Sequence, residues 1–113
     1  MALLGNGLLG IWHDVEASNK SDLFDFHNWY RNEHFPERLS VPGFLRGRRY
    51  QSVDGSSRFS ALYETESVAT LASNVYREQL DNPTLCSQRN LARFRNTNRT
   101  AFNIEYSAGF GVG

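Results

Sequence analysis

Three side chains that can carry protons recur at helical spacing in one short segment, as His27, Tyr30 and His34. At about 100° per residue they fall on the same helix face as the apolar residues Leu23 and Phe26. A face that packs on a core tolerates polar tips only where they find partners, so the pattern predicts a small polar pocket. Two imidazoles and a phenol in one pocket are typical of general acid–base chemistry. We therefore predict His34, His27 and Tyr30 as catalytic residues.

The position of His34 adds an expectation about its charge. Pro36 lacks an N–H and disfavours helical backbone before it, so we expect the helix to end near His34. The negative end of the helix dipole would then favour a protonated, charged imidazole near neutral pH. A purely structural role stays open, in which the histidines bond to backbone carbonyls or to Glu33 or Glu37.

Two arginines on the following segment could recognise an anionic substrate. Arg46 and Arg48 share one face of a predicted strand, whereas Arg49 points the other way and could bond across a dimer. The alternative is ion pairing of these arginines with acidic residues, namely Glu64, Glu66 or Glu105. The predicted substrate-binding residues are Trp29, Glu33, Arg46, Arg48 and His13.

No metal is predicted at these residues. His27 and His34 would lie about 10 Å apart along a helix, too far for the usual pair of ligands one turn apart. A site completed by His13 is a minor alternative. Cys86 has no recognisable catalytic neighbourhood, so we expect a small buried side chain there.

The elements follow from apolar periodicity and turn residues. The sequence predicts a strand over Leu8–Val15, a helix from Ser21 or Asp22 to about His34, and strands over Phe44–Val53 and Arg58–Glu66 joined by a hairpin at Asp54–Ser57. It then predicts a helix over Ser67–Leu80, a short helix over Leu85–Phe94 and a strand over Thr100–Ala108.

This β-α-β-β-α-β order predicts an α+β fold of the ferredoxin-like type, with two helices on one face of a four-stranded antiparallel sheet. The 113 residues suffice for one domain, 1–113. Strand one has apolar side chains on both faces, so the face without helices needs a cover. A second copy of the chain is the natural one, which predicts a homodimer through the sheet face.

Charge and composition restrict the partners. Twelve acidic and twelve basic residues balance, so no overall field favours nucleic acid or anionic membranes. The third strand lacks the exposed aromatic residues of RNA-recognition motifs, which argues against RNA. One cysteine, and no apparent signal peptide or membrane span, predict a cytoplasmic protein without membrane association. The glycine-rich tail, Gly109–Gly113, could reach a partner subunit.

The pattern WY..EH.PERL..PGFL..RRY, from Trp29 to Tyr50, resembles the dimeric α+β barrel superfamily, especially its EthD-like branch. The resemblance implies a homodimer whose sheets pack face to face, with a pocket in each subunit between sheet and helices. It implies an enzyme without a cofactor, such as a decarboxylase, dehydratase, cyclase or isomerase. His34 is the residue that matches the histidine of the family pattern. Other members degrade haem or oxidise quinols, but no clear form of their Asn-Trp-His set is present.

These observations predict a homodimeric enzyme without a cofactor. It would perform histidine-based acid–base chemistry of the lyase, cyclase or isomerase type on a small, oxygenated, partly apolar substrate. Two alternatives stay open: a non-catalytic small-molecule binding domain, and a haem- or oxygen-using monooxygenase of the same superfamily.

Overall fold

Four antiparallel strands form one sheet in the computed structural model, which describes residues 3–55 and 57–108. The sheet order is β2-β3-β1-β4. β3 and β4 pair antiparallel with β1, and β2 pairs antiparallel with β3, which confirms the predicted ferredoxin-like α+β fold. The predicted arm at Gly109–Gly113 lies outside the described residues. The strands are β1 Gly7–Val15, β2 Phe44–Gln51, β3 Phe59–Thr65 and β4 Phe94–Asn103.

The helices pack on one face of this sheet, where they bury a core of aromatic side chains. Phe26, Tyr30 and Tyr76 from the helices meet Leu9 and Tyr63 from the strands. The helical segments are α1 Lys20–Trp29, a π-helical turn Tyr30–His34, α2 Phe35–Leu39, a 3-10 helix Val68–Ala72, α3 Asn74–Asp81 and α4 Leu85–Leu91.

The first helical segment was predicted to end before Pro36, but it continues through Pro36 and spans Lys20–Leu39. Asn19, and not Ser21 or Asp22, caps α1, because its side chain accepts from the Asp22 N–H at 2.9 Å. A π-helical turn follows, in which the Phe35 N–H donates to the Tyr30 carbonyl. This wider turn lets Pro36 lie in the first turn of α2, where a helix does not need its N–H.

The predicted helix Ser67–Leu80 is also interrupted. Its first part is the 3-10 helix, and Ser73 then takes an extended conformation with φ −68° and ψ 151°. The Ser73 hydroxyl accepts from the Tyr76 N–H at 3.3 Å and so caps α3. Serine competes for backbone groups in this way, which apolar periodicity does not reveal.

The last strand begins earlier than predicted. β4 pairs with β1 from Val15↔Phe94 to Gly7↔Asn103, so Phe94 belongs to the strand and not to the preceding helix. The prediction of Thr100–Ala108 missed its polar first half. An edge strand with one exposed face can carry such residues, which hides its periodicity. Tyr106 lies beyond the strand and is almost fully exposed.

The sheet face opposite the helices, here called the open face, carries Leu8, Trp12, Leu62 and Phe102. Strand alternation places these side chains on the same side, and Leu8 lies directly opposite Phe102. The rings of Trp12 and Phe102 meet edge to face at 6.3 Å. No helix among residues 3–55 and 57–108 is long and apolar enough to cross a membrane.

Glu33 ties the first helical segment to α4. Its carboxylate accepts from the Trp29 indole N–H at 3.0 Å, from the Thr84 hydroxyl at 2.7 Å and from the Ser87 hydroxyl at 2.9 Å. The hydrogen bond from Thr84, supported by those from Ser87 and Trp29, lowers the pKa of Glu33. The carboxylate is therefore ionised at neutral pH and holds the two helices together.

Replacing Glu33 by Ala should lower the free energy of unfolding by about 1–3 kcal/mol, because three donors lose their shared acceptor. Urea denaturation at pH 7 measures this change. Glu37→Ala is the matched control, since that carboxylate forms an ion pair with Arg38 at 3.5 Å, and the control should lose less than about 1 kcal/mol. Equal losses in the two variants would contradict the role given to Glu33.

Candidate functional site

A cleft of about 490 Å³ lies between the first helical segment and β2. The helical side supplies an imidazole, a phenol and an apolar ring, and the strand supplies arginines and a glycine. The lining residues are His27, Tyr30, Arg31, Phe35, Gly47, Arg48, Arg49 and Gln51. A cavity of this size accommodates a small organic molecule.

Gly47 lets the helix approach the strand closely at the base of the cleft. A Cβ atom at this position would lie 2.7 Å from the Phe35 ring and 3.1 Å from the Tyr63 ring. These distances are shorter than normal contacts between carbon atoms. The missing side chain therefore allows Phe35 to form one wall of the cleft.

His27 is bonded to Arg49 across the cleft. The Arg49 Nη1 lies 3.1 Å from the His27 Nδ1, and a guanidinium can only donate. Nδ1 is therefore the acceptor, which leaves the proton of a neutral imidazole on Nε2. Burial, reinforced by the positive charge of Arg49, lowers the pKa of His27, so the ring is neutral at pH 7.

The Arg49 guanidinium is packed among aromatic rings. It lies over Tyr30 at 4.2 Å, over Phe59 at 4.8 Å and over Phe26 at 5.6 Å. Its Nε and Nη2 atoms are buried, and neither has a hydrogen-bond partner among the described residues. Burial lowers the pKa of Arg49, although an arginine side chain remains charged in proteins.

Tyr30 is buried between Arg49 and the core. Its hydroxyl lies 3.5 Å from that of Tyr63. Burial raises the pKa of Tyr30, so the phenol stays protonated at neutral pH. The residue borders the cleft, and the Arg49 guanidinium lies over its ring.

His34 does not line the cleft and is not charged, contrary to the expectation from the helix dipole. Its ring is 5 % exposed and stacks on Trp29 at 4.5 Å, while the Tyr30 ring lies 5.0 Å away. Burial, with a further contribution from Arg38, lowers its pKa to about 3. Because the chain continues into α2, His34 is not at the carboxyl end of a helix, and desolvation decides its charge.

The structure also separates several of the predicted substrate-binding residues from the cleft. Trp29 and Glu33 bond to each other and face α4. Arg46 forms an ion pair with Glu64, as the alternative reading allowed. His13 is 1 % exposed and stacks on Phe94 at 3.9 Å in the core. Of the predicted site residues, the cleft brings together His27, Tyr30 and Arg48.

The sequence analysis did not predict the remaining lining residues. Among them, Arg49 has its guanidinium buried among aromatic rings. Strand alternation correctly placed Arg49 opposite Arg46 and Arg48. The sequence interpretation assigned the substrate to the face of Arg46 and Arg48, which lie opposite Glu64 and Leu62 of β3, whereas Arg49 lies on the other face, beside the helices. The missed residues are Arg31, Phe35, Gly47, Arg49 and Gln51.

His13, His27 and His34 do not form the metal site that was considered as a minor alternative. In the described part of the chain, no three His, Cys, Asp or Glu side chains lie together as metal ligands would. Cys86 is partly buried, and its sulfur lies 3.2 Å from Arg89 Nη2, with no disulfide partner in the sequence.

Comparison with known proteins identifies similar structures but no family by sequence. No protein-family model and no curated protein matches the chain. SnoaB from Streptomyces nogalater, described as a cofactor-independent oxygenase, is 13% identical with a TM-score of 0.62, and the match covers 88% of this chain and 93% of that one. At such identities the likeness shows the fold.

Two further structures share this fold. A dimeric ferredoxin-like protein from an uncultured marine organism is 14% identical with a TM-score of 0.62, over 96% of this chain and 91% of that one. The haem degrader MhuD from Mycobacterium tuberculosis is 15% identical with a TM-score of 0.57, over 91% of this chain and 99% of that one.

These comparisons correct two predictions. The lyase, cyclase or isomerase activity is contradicted, because the activities named for these similar structures are those of an oxygenase and a haem degrader. The ferredoxin-like fold of the predicted superfamily is confirmed, whereas its EthD-like branch is not.

Burial of His34 makes the stability depend on pH. The unfolded imidazole takes up a proton as the pH falls through 6.5, whereas the folded one does so only near 3, so acid favours unfolding. Between pH 6.5 and 5 the contribution of His34 should fall by about 2 kcal/mol. Urea denaturation of the wild type and of His34→Gln at both pH values measures it. The variant should lose correspondingly less stability on acidification, and an unchanged pH dependence would contradict the buried neutral state.

Proposed function

We propose that this protein is an oxygen-using monooxygenase that works in the cleft without a bound redox cofactor. The observation that carries the proposal is the Arg49–His27 pair beside Tyr30, in a cleft formed by a fold shared with a cofactor-independent oxygenase. Few other groups in the described part of the chain combine burial, proton-carrying capacity and access to a cavity. This combination favours chemistry at the cleft over a structural role for His27.

The stoichiometry constrains the substrate. In most oxygenases a flavin, a haem or a metal supplies electrons to dioxygen. Without one, the substrate must supply them, as when a methylene group beside an electron-rich ring reacts with O₂ to give a carbonyl and water. One oxygen atom then enters the product, the other leaves with both methylene hydrogens, and the substrate loses four electrons.

The residues of the cleft suit that reaction in distinct ways. Neutral His27 has its Nε2–H available and can pass a proton between the substrate and the solvent. Tyr30 remains a protonated phenol beneath Arg49, and Phe35 presents its ring to a planar substrate. Trp29 and His34 are positioning residues, because their stacked rings lie behind Tyr30 and fix its orientation.

We further propose that the protein is a homodimer through the open face. Leu8, Trp12, Leu62 and Phe102 form an apolar surface on a sheet that has its helices on the other side. A similar structure is described as dimeric. The predicted cytoplasmic location remains a prediction.

Oxygen consumption tests the proposed activity. Dioxygen uptake and product mass should be measured with hydroxylated anthrones, naphthols and hydroquinones, using labelled dioxygen. The product should gain one labelled oxygen atom, and His27→Ala should lower kcat by about a hundredfold, the usual contribution of a proton-transfer group. Asn28→Ala, on the exposed side of the same helix, is the control and should keep full activity.

Two results would contradict this function. Binding of these compounds without oxygen uptake would identify a non-catalytic binding domain. A Soret band after addition of haem, with oxygen uptake only in its presence, would identify a haem-using enzyme instead.

The dimer is tested by placing a charge on the open face. Leu62→Glu should convert the protein to a monomer in sedimentation equilibrium, because burying an unpaired carboxylate is costly. Phe24→Glu is the matched control, since Phe24 is 73 % exposed on the helical side, and this variant should remain dimeric. A monomeric wild type, or a dimeric Leu62→Glu variant, would contradict the proposed interface.

A further inference from the structure

The charged groups that line the cleft are all cations. Arg31 and Arg49 contribute charged groups to its surface, and no Asp or Glu is among its described lining residues. Arg48 also borders the cleft, but it lies opposite Leu62 in the sheet, so strand alternation directs its side chain to the open face. The chain as a whole has a formal net charge of zero, so this is a local concentration of positive charge. Such a surface attracts anions.

Arg49 is the arginine of the cleft whose guanidinium is buried without a counter-ion in the described part of the chain. No carboxylate in the described part of the chain forms an ion pair with it. Its Nη1 bonds to neutral His27, and its Nε and Nη2 have no described partner. The rings of Tyr30 and Phe59 offset part of the cost of burial through cation–π interactions. Buried charges are normally paired as well, and within residues 3–55 and 57–108 this pairing is missing for Arg49.

The hydrogen-bonding groups beside Arg49 also favour an anion over a neutral ligand. Arg49 can only donate, and His27 has only its Nε2–H left because Nδ1 accepts from Arg49. A neutral phenol placed against two donors has no acceptor there for its own proton. An ionised oxygen can accept from the guanidinium, and such a charge-assisted hydrogen bond is of the stronger kind.

We infer that the cleft binds its ligand as a planar oxyanion, a phenolate or an enolate, whose ionised oxygen lies against the guanidinium of Arg49. The anion meets the guanidinium from the side that lines the cleft, since Nε and Nη2 are covered by rings. Phe35 then contacts its flat face. This inference rests on the proposed function in one respect: an electron-rich oxyanion is the form of substrate able to reduce dioxygen directly.

Spectroscopic titration of para-nitrophenol tests the inference without any turnover. This phenol ionises near neutral pH, and its ionised form absorbs strongly in the visible range. In the presence of saturating wild-type protein its apparent pKa should fall by about one unit, which corresponds to an about tenfold preference for the phenolate. Arg49→Gln should abolish the shift, whereas Arg49→Lys should retain most of it because the charge remains.

Arg95→Gln is the matched control, because Arg95 is an exposed arginine on β4 that forms an ion pair with Glu16. This variant should bind para-nitrophenol like the wild type. Circular dichroism confirms folding of each variant. If Arg49→Gln does not fold, the shift in the wild type and in Arg49→Lys decides the question. An unshifted phenol pKa, a shift that persists in folded Arg49→Gln, or no binding of the phenol would each overturn the inference.

The phenol titration and the oxygen-uptake measurement together distinguish this inference from the proposed activity. A normal phenolate shift in a protein that consumes no dioxygen would sustain the anion site and refute the oxygenase. Oxygen uptake by a protein that shows no phenolate preference would sustain the oxygenase and refute the anion site.

Discussion

An uncompensated positive charge, the guanidinium of Arg49, is the constraint on which the arrangement of the cleft depends. Three aromatic rings pack around it, and it fixes the tautomer of His27 by donating to Nδ1. A guanidinium is weakly hydrated and planar, so it tolerates such an environment better than an ammonium group would. Its charge still has to be met, and the open cleft is the place where a ligand can meet it.

The π-helical turn Tyr30–His34 arranges the opposite side of the cleft. A turn with one additional residue rotates everything that follows it by about 100° relative to a regular helix. His34 consequently lies in the core behind Tyr30, while Phe35 reaches the cleft. Gly47 completes the arrangement, because a side chain there would collide with Phe35. Turns of this kind are frequent at functional sites, and here one separates the lining residues from those that support them.

The sequence predicted the fold more completely than the site. Alternation in β1 and β3 and the hairpin between β2 and β3 were sufficient for the ferredoxin-like order. The helix ends were not predictable, since a serine cap at Ser73 and a proline accommodated by a π-turn leave apolar periodicity intact. The polar edge strand β4 concealed its start for a related reason, because its exposed face imposes no hydrophobic pattern.

Within the site, helical spacing identified His27 and Tyr30 because an inward-facing polar residue is visible from periodicity alone. His34 also faces inward, as the spacing predicted, but it packs on Trp29 and Tyr30 and does not line the cleft. The ion pair of Arg46 was left open by the sequence, since only the register shows that Glu64 lies opposite Arg46. The activity could not be read from these residues, because acid–base catalysis and oxygenation use the same proton-carrying groups.

A crystal structure of the protein with bound para-nitrophenolate tests the central claim most directly. The structure predicts the phenolate oxygen within hydrogen-bonding distance of the Arg49 guanidinium, with the ring against Phe35. A carboxylate of a partner subunit paired with Arg49 in that crystal, or the phenolate bound away from the cleft, would contradict it.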